Sequence, residues 1–563
     1  MPPRLSRLGI LLRGSPPSPV SLVPSSFATV CSRRDVRTNR MANRGNLAHA
    51  DPPPGTVELL AEHGADGKDG EVVLIPAPSD DPNDPLRWPM WRKCLHFGLL
   101  VAMTTAIFTS LSIQTIFWTQ MEQDMINVTI QDLANAQAVQ LVGLAVGCVV
   151  FMPPATKYGR RSVYIIVMAI AAISAWWSAV MKTVPELFVA NFLIGISGAV
   201  NQTAIAMTIH DIWFVHQRGT ANGMFFAGLM TGSFLCPMAA GVQGIKDGWR
   251  VSYATLAAAM TVLTVIFVIA LEETKFIRPD QEAIPKDKQD MFKLESFQSE
   301  LARSATDKAS KKRGGCLQKA RLQFVTKSDE SLWKIFYYPA LSWWFPQVIF
   351  ASLQLGSSIC WLVVLGSMIS IVFSAPPYNF DAAGLGYMYA GPCVGAIFGA
   401  LYGGPLVDKA IVWLSRRNHG WFEPEMRLWL YPIPALAMAG GLVLFGVSAG
   451  QGMHFVIPSV GGALFSFSFG AISDIATALV LDSFPAIVPQ TFVAITFFRN
   501  AISMVGPFSV TPWSEAMGTT NMFIVAAAIS LAVNALALPL GIWGKKGRAA
   551  VAARYHRLAD QSV

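Results

Sequence analysis

The sequence predicts an all-α protein that crosses a membrane twelve times, in two groups of six helices, and three observations carry that expectation. Hydrophobic residues make up 53% of the 563 and charged residues only 14%, whereas a soluble domain carries about 25% charged residues. No core of this size hides so much apolar surface, so the surplus faces lipid. Uncharged runs long enough for a spanning helix, which needs roughly 20 residues, recur along the chain. They form two groups separated by one long polar segment.

Residues 1–93 are rich in Pro, Ser, Arg and Gly without a sustained period, and read as a disordered, basic cytosolic tail. Arg4, Arg7, Arg13, Arg33, Arg34, Arg37 and Arg40 face the single acid Asp35 in residues 1–40. That composition resembles a transit peptide, but the apolar stretch is short and Met41 offers a second start, so disorder is the preferred reading. Uncharged runs follow at 94–121, 134–156, 162–181, 187–210, 220–245 and 251–271, the N-terminal bundle 94–271. A polar linker, 272–334, carries the basic knot Lys311, Lys312 and Arg313. The second group, at 347–373, 382–407, 428–450, 453–481, 489–510 and 517–543, makes the C-terminal bundle 335–543, and 544–563 is a cytosolic tail.

The net charge of +8 resides in tails and loops rather than on one folded face, which excludes a nucleic-acid partner and reads as positive-inside orientation. Glu122, Asp124 and Asp132 occupy the first loop without Lys or Arg, while Lys157, Arg160 and Arg161 occupy the second. Both termini and the linker are therefore expected in the cytosol. Asn127-Val128-Thr129 is then a glycosylation sequon in an outer loop. The seven cysteines show neither CxxC spacing nor neighbouring His, so no disulfide framework, metal or cofactor is expected. Gly446-Val447-Ser448-Ala449-Gly450 matches G-x-S-x-G but ends a hydrophobic helix with no strand before it, and reads as helix packing rather than a nucleophile turn.

Several loop words are more informative. Gly404-Pro405-Leu406-Val407-Asp408-Lys409 stands between spans eight and nine, and its first-half counterpart ends Lys157-Tyr158-Gly159-Arg160-Arg161, with Thr156 where an Asp is usual. Further words are Asp81-Pro82-Asn83-Asp84-Pro85-Leu86-Arg87-Trp88-Pro89, His216-Gln217-Arg218-Gly219, Gly248-Trp249-Arg250, Glu272-Glu273-Thr274, Pro377-Tyr378-Asn379-Phe380 and Arg499-Asn500. Together they resemble the major facilitator superfamily, specifically the fungal drug:proton antiporter family near the histidinol and polyamine permease type. The resemblance implies two pseudo-symmetric six-helix bundles around a central cavity. It also implies a cytosolic gate at Lys157, Gly159, Arg160, Arg161, Gly404, Asp408 and Lys409.

Span five carries Gly228, Gly232, Cys236-Pro237 and Gly241, resembling the family's antiporter motif with two glycines replaced. Span eight carries Gly391, Gly395, Gly399 and Gly403 at every fourth residue, a spacing that lets helix backbones approach closely in lipid. Since spans five and eight meet across the halves in that fold, Gly228, Gly232, Pro237, Gly391, Gly395 and Gly399 are expected to form a sliding seam. In span four, Asn191, Gly195, Gly198 and Gln202 share one helical face, and a polar stripe in lipid turns inward. Asn191 stands where many relatives carry an Arg, which leaves proton coupling open. Asp474 in span ten lies eight residues before Asp482, and Arg499 in span eleven lies ten after Pro489. At about 1.5 Å per residue both sit roughly 12–15 Å deep, so a pair is expected. Asp474, Arg499, Asn500, Asn191 and Gln202 are the candidate substrate or proton path.

The expected function is secondary active transport at the plasma membrane by a monomer, without cofactor. The resemblance favours proton-coupled export of a small organic molecule: a drug, a secondary metabolite or an organic acid. An uptake permease for amines and a non-transporting membrane sensor remain open, although few carboxylates line the spans to serve a polyvalent amine.

Overall fold

Helix ends fall where the chain supplies caps or breaks. Thr129 opens span two as a capping box: its hydroxyl accepts from Asp132 N at 3.2 Å, and Asp132 accepts from Thr129 N at 3.1 Å. Gly159, at φ 112°, separates span two from span three, and Gly248, at φ 83°, separates span five from span six. Both conformations favour glycine. Asp381 starts span eight by accepting from Gly384 N at 2.8 Å.

In the computed structural model, residues 53–58, 84–213, 215–275, 332–418 and 420–562 are described. Most of the N-terminal tail, the basic knot at Lys311, Lys312 and Arg313, and most of the linker lie outside the described residues, as do Asp81, Pro82 and Asn83. Among the described residues, eleven helical stretches are long and apolar enough to cross a bilayer. The first six are Met90–Asp124, Ile130–Tyr158, Arg160–Val180, Val184–Ile209, Ala221–Asp247 and Trp249–Ala270. The remainder are Pro346–Ser374, Ala382–Arg417, Pro432–Gly450, Val456–Ser483 and Pro485–Ala559. The last of these breaks at Gly518, whose φ 73° and ψ 157° are not helical, and so comprises spans eleven and twelve. Lipid-facing surface is evident from large apolar side chains left open, such as Ile269 at 74% and Ile542 at 72% exposure. The C-terminal residues Ala537–Ser562 are helical, with Tyr555 and Leu558 buried.

Spans five and eight each contain a single wide turn of π-helix, at Thr231–Leu235 and Tyr402–Leu406. In span eight Pro405 removes a backbone donor, which an undisturbed α-helix would need at that point.

The glycine stripes pack differently from the expected seam. Gly391, Gly395 and Gly399 lie against Ser459, Ala463 and Phe467 of span ten, within the same half. A Cβ added at Gly395 would meet the Ala463 carbonyl and fall 2.9 Å from Ala463 Cα. Gly228 and Gly232 lie against Val101, Thr105 and Phe108 of span one, and Thr105 Oγ1 donates to Gly228 O at 3.1 Å. The stripe therefore marks permanent packing inside each bundle. Glycine at every fourth residue shows that some backbone comes close, but it does not say whose. Spans five and eight do meet at their outer ends, where Gly241 faces Ala382 and Ala383, and Gly386 faces Pro237 and Met238. Of the six expected seam residues, Pro237 alone lies at this contact.

On the outer side the halves are tied by hydroxyls. Thr115 and Tyr389 are 2.8 Å apart, Ser370 donates to the Thr115 carbonyl, and Ser367 donates to Gln137 Oε1 at 3.1 Å. At the cytosolic face Val57–Glu58 pairs antiparallel with Trp421–Phe422, Val57 opposite Phe422.

Candidate functional site

The polar stripe of span four has divided roles. Asn191 bonds back to its own helix, donating to Leu187 O at 2.9 Å, while Gly195 lies under the Gln140 carbonyl of span two. Gly198 faces Leu144, Leu111 and Ile107. Gln202 reaches across to the other half: its Oε1 accepts from Arg499 Nη2 and, at 3.5 Å, from Asn500 Nδ2. Asn500 is wholly buried, and its Oδ1 and the Arg499 Nε have no hydrogen-bond partner among the described residues.

An apolar wall also draws on both halves. Leu141, Leu144, Cys148 and Ala199 from spans two and four cluster with Leu111, Ile359, Val363 and Met504 from spans one, seven and eleven. Ala199 stands three residues before Gln202 on the same helix, so the polar group and the wall adjoin.

The expected Asp474–Arg499 pair does not form. Asp474 packs against span eight, where a Cβ on Gly403 would lie 3.0 Å from Asp474 Oδ2, and no ion pair or hydrogen bond engages Asp474 among the described residues. Equal depth fixes position along the helix axes but not rotation about them. Asp474 faces outward from the centre toward Gly403, and Arg499 faces inward toward Gln202.

The cytosolic mouth is built from two charge clusters. In the first half, Arg160 pairs with Asp211, and Glu273 accepts from Arg160 N at 2.9 Å and from Arg161 N at 3.1 Å. Glu273 thereby satisfies the free donors at the start of span three, where a carboxylate also complements the helix dipole. A Cβ on Gly159 would collide with that carboxylate. Arg161 Nη2 donates to Val268 O at 3.1 Å, and Lys275 donates to the carbonyls of Thr156 at 2.6 Å and Lys157 at 3.1 Å.

In the second half Arg427 joins two spans, pairing with Asp408 at 3.1 Å and Asp482 at 2.7 Å. Arg548, fully buried, holds Glu425 through bonds of 2.8 and 2.7 Å. Gly404 has open space beside it, and Lys409 is exposed. Sequence reasoning counted Arg427 only as positive-inside charge. The available signal was the pair of acids, Asp408 and Asp482, at two cytosolic helix ends without a stated cation. Thr115 and Tyr389 gave no signal, since isolated hydroxyls in a span are ordinary.

Asn127, at φ 53°, is exposed in the outer loop, and Thr129 of its sequon is engaged in the capping box. Ser448 lies within a helix and donates to Leu444 O at 2.5 Å.

Two bundles joined around a polar centre, with charged clusters at one mouth, define the architecture of a membrane transporter. A sequence model of the Major Facilitator Superfamily matches residues 98–507, and the chain belongs to that superfamily. It is 26% identical to the MFS-type transporter C1271.10c of Schizosaccharomyces pombe over 89% of this chain and 94% of that one. Protein HOL1 of Saccharomyces cerevisiae is 25% identical, covering 89% of this chain and 96% of its own. The efflux pump radE of Floropilus chiversii is 22% identical, with 85% of each chain covered. Among solved structures, the xylose transporter XylE from E. coli, in a partially occluded inward-open conformation, aligns with a TM-score of 0.52. That alignment covers 79% of this chain and 97% of XylE at 13% identity, a likeness of fold alone.

Proposed function

We propose that the chain is a proton-coupled exporter of a small organic molecule, acting as a monomer in the plasma membrane by alternating access. The observation that carries this reading is the Gln202–Arg499 contact. It joins the two halves beside unpartnered polar atoms and an apolar wall, where a bound molecule would bear on both bundles at once. Substrate binding competes with that contact, and the outer hydroxyl ties open as the halves rock. Efflux pumps such as radE among the relatives support the outward direction.

Asp474 is the proposed proton carrier. It is an ionisable group without a counter-charge, packed between spans eight and ten about two helical turns from the Asp408–Arg427–Asp482 cluster. Gaining or losing a proton there changes the charge held between two helices that pack backbone to backbone.

Inside-out vesicles from cells expressing the chain test the reading. With a panel of radiolabelled organic molecules, accumulation driven by an imposed pH gradient and abolished by a protonophore is expected. Equilibration that ignores the gradient would leave a facilitator, and no movement of any compound would leave a sensor.

A further inference from the structure

The centre of the molecule contains a cation whose charge the chain itself does not neutralise. Arg499 has as its side-chain partner the neutral amide oxygen of Gln202, and its Nε is buried without a partner. Among the described residues no carboxylate lies within ion-pair distance of it, since Asp474 is turned toward Gly403. An uncompensated charge inside a membrane is costly, and removing one partner of a buried pair leaves the other strongly destabilising. Close by, Asn500 offers an unpartnered acceptor, and the wall of Leu111, Leu141, Leu144, Ile359, Val363 and Met504 is apolar.

Resting on the transporter reading above, we infer that the substrate is an amphiphilic organic anion. Its carboxylate binds the Arg499 guanidinium in place of Gln202, and its apolar body lies against the wall. The planar guanidinium fork matches a carboxylate with two parallel bonds, which a single amide oxygen cannot supply. The Asn500 acceptor adds a preference for an O–H or N–H beside the carboxylate. Gln202 is a placeholder in this arrangement. It holds the guanidinium when the site is empty, and its displacement loosens spans four and eleven from each other, so that binding itself frees the halves to move.

The test uses the purified full-length chain and matched probes: 1-naphthoate against 1-naphthamide, salicylate against salicylamide, and spermidine as a polyvalent cation. Ligand-dependent shifts in unfolding temperature report binding. The expected result is that the acids stabilise the protein while their amides and spermidine do not. Arg499→Gln should weaken acid binding by about 30-fold or more, and Arg499→Lys should retain part of it.

Gln202→Glu gives Arg499 an internal counter-charge. This variant should fold at least as well as the natural chain and lose its response to acids, which separates occupancy of the guanidinium from damage to the fold. Stabilisation by amides or spermidine instead of acids, an undiminished acid response in Gln202→Glu, or no response to any acid would each overturn the inference. If acids bind as expected yet show no counterflow in proteoliposomes, the anionic site stands and the transport reading fails. Counterflow of spermidine but not of acids would overturn the anionic site and leave the transport reading standing.

Discussion

Substituting Gly395 by Ala distinguishes packing inside a half from contact between halves. The added Cβ would fall 2.9 Å from Ala463 Cα and against its carbonyl, where ordinary contact is 3.4–4 Å. Spans eight and ten must therefore separate by about half an ångström to one ångström, and a gap of that size forfeits a quarter to a half of each dispersion contact nearby. Overpacking of this kind costs about 1–3 kcal/mol. Because spans eight and ten belong to the same bundle, the loss should appear as reduced thermal stability and folded yield, with transport per folded molecule little changed. Gly241→Ala presses instead on Ala382 across the two halves. It should leave each bundle intact and hinder closure of the outer side, lowering turnover at nearly unchanged stability. Fluorescence-detected size exclusion with a temperature ramp measures the first quantity, and vesicle uptake normalised to folded protein measures the second. If Gly395→Ala is as stable as the natural chain but slow, and Gly241→Ala is unstable but fast, the assignment of the stripes is wrong.

Three further outcomes are expected. Thr115→Val or Tyr389→Phe removes one hydroxyl bond between the halves, worth about 0.5–1.5 kcal/mol, and both should raise outer-side thiol labelling of an introduced cysteine. The double variant should show little additional effect if the two hydroxyls bond to each other. Arg427→Ala leaves Asp408 and Asp482 without their shared cation, and should lower turnover more than Lys409→Ala, because Lys409 is exposed; equal effects would show that overall positive charge matters, not the bridge. Asp474→Asn should abolish accumulation against a gradient while downhill exchange persists, and unchanged concentrative uptake with the same pH response would reduce Asp474 to packing.

Much of the fold was legible in the sequence because lipid imposes a length and an apolar composition on every span. The break at Gly518 and the paired halves follow from that constraint, and the capping box at Thr129 follows from local chemistry. The direction in which each helix faces was not legible. A stripe such as Gly391, Gly395 and Gly399 specifies close approach equally well to span five or span ten, and the depths of Asp474 and Arg499 leave their azimuths free. The importance of Arg499 and Gln202 was legible, since a charge and an amide within spans are expensive. Their contact was not, because it depends on how two separately folded halves dock. Glu273 was visible as part of a family word, yet its capping of span three emerges only when the end of span six returns to the same mouth.

The central claim is that the two halves move against each other about a centre they share. A built Cβ on Gly386 lies 3.2 Å from Met238 Cα, close enough for a disulfide, which requires Cα atoms about 4.4–6.8 Å apart. Met238→Cys with Gly386→Cys, in a background lacking the native cysteines, therefore permits the outer ends of spans five and eight to be locked and released in one preparation. Vesicle transport measured before and after reduction should show an oxidised protein that is folded and inactive, and a reduced protein that recovers the rate of the cysteine-free parent. Transport by the fully cross-linked protein at the parental rate would contradict alternating access in this chain.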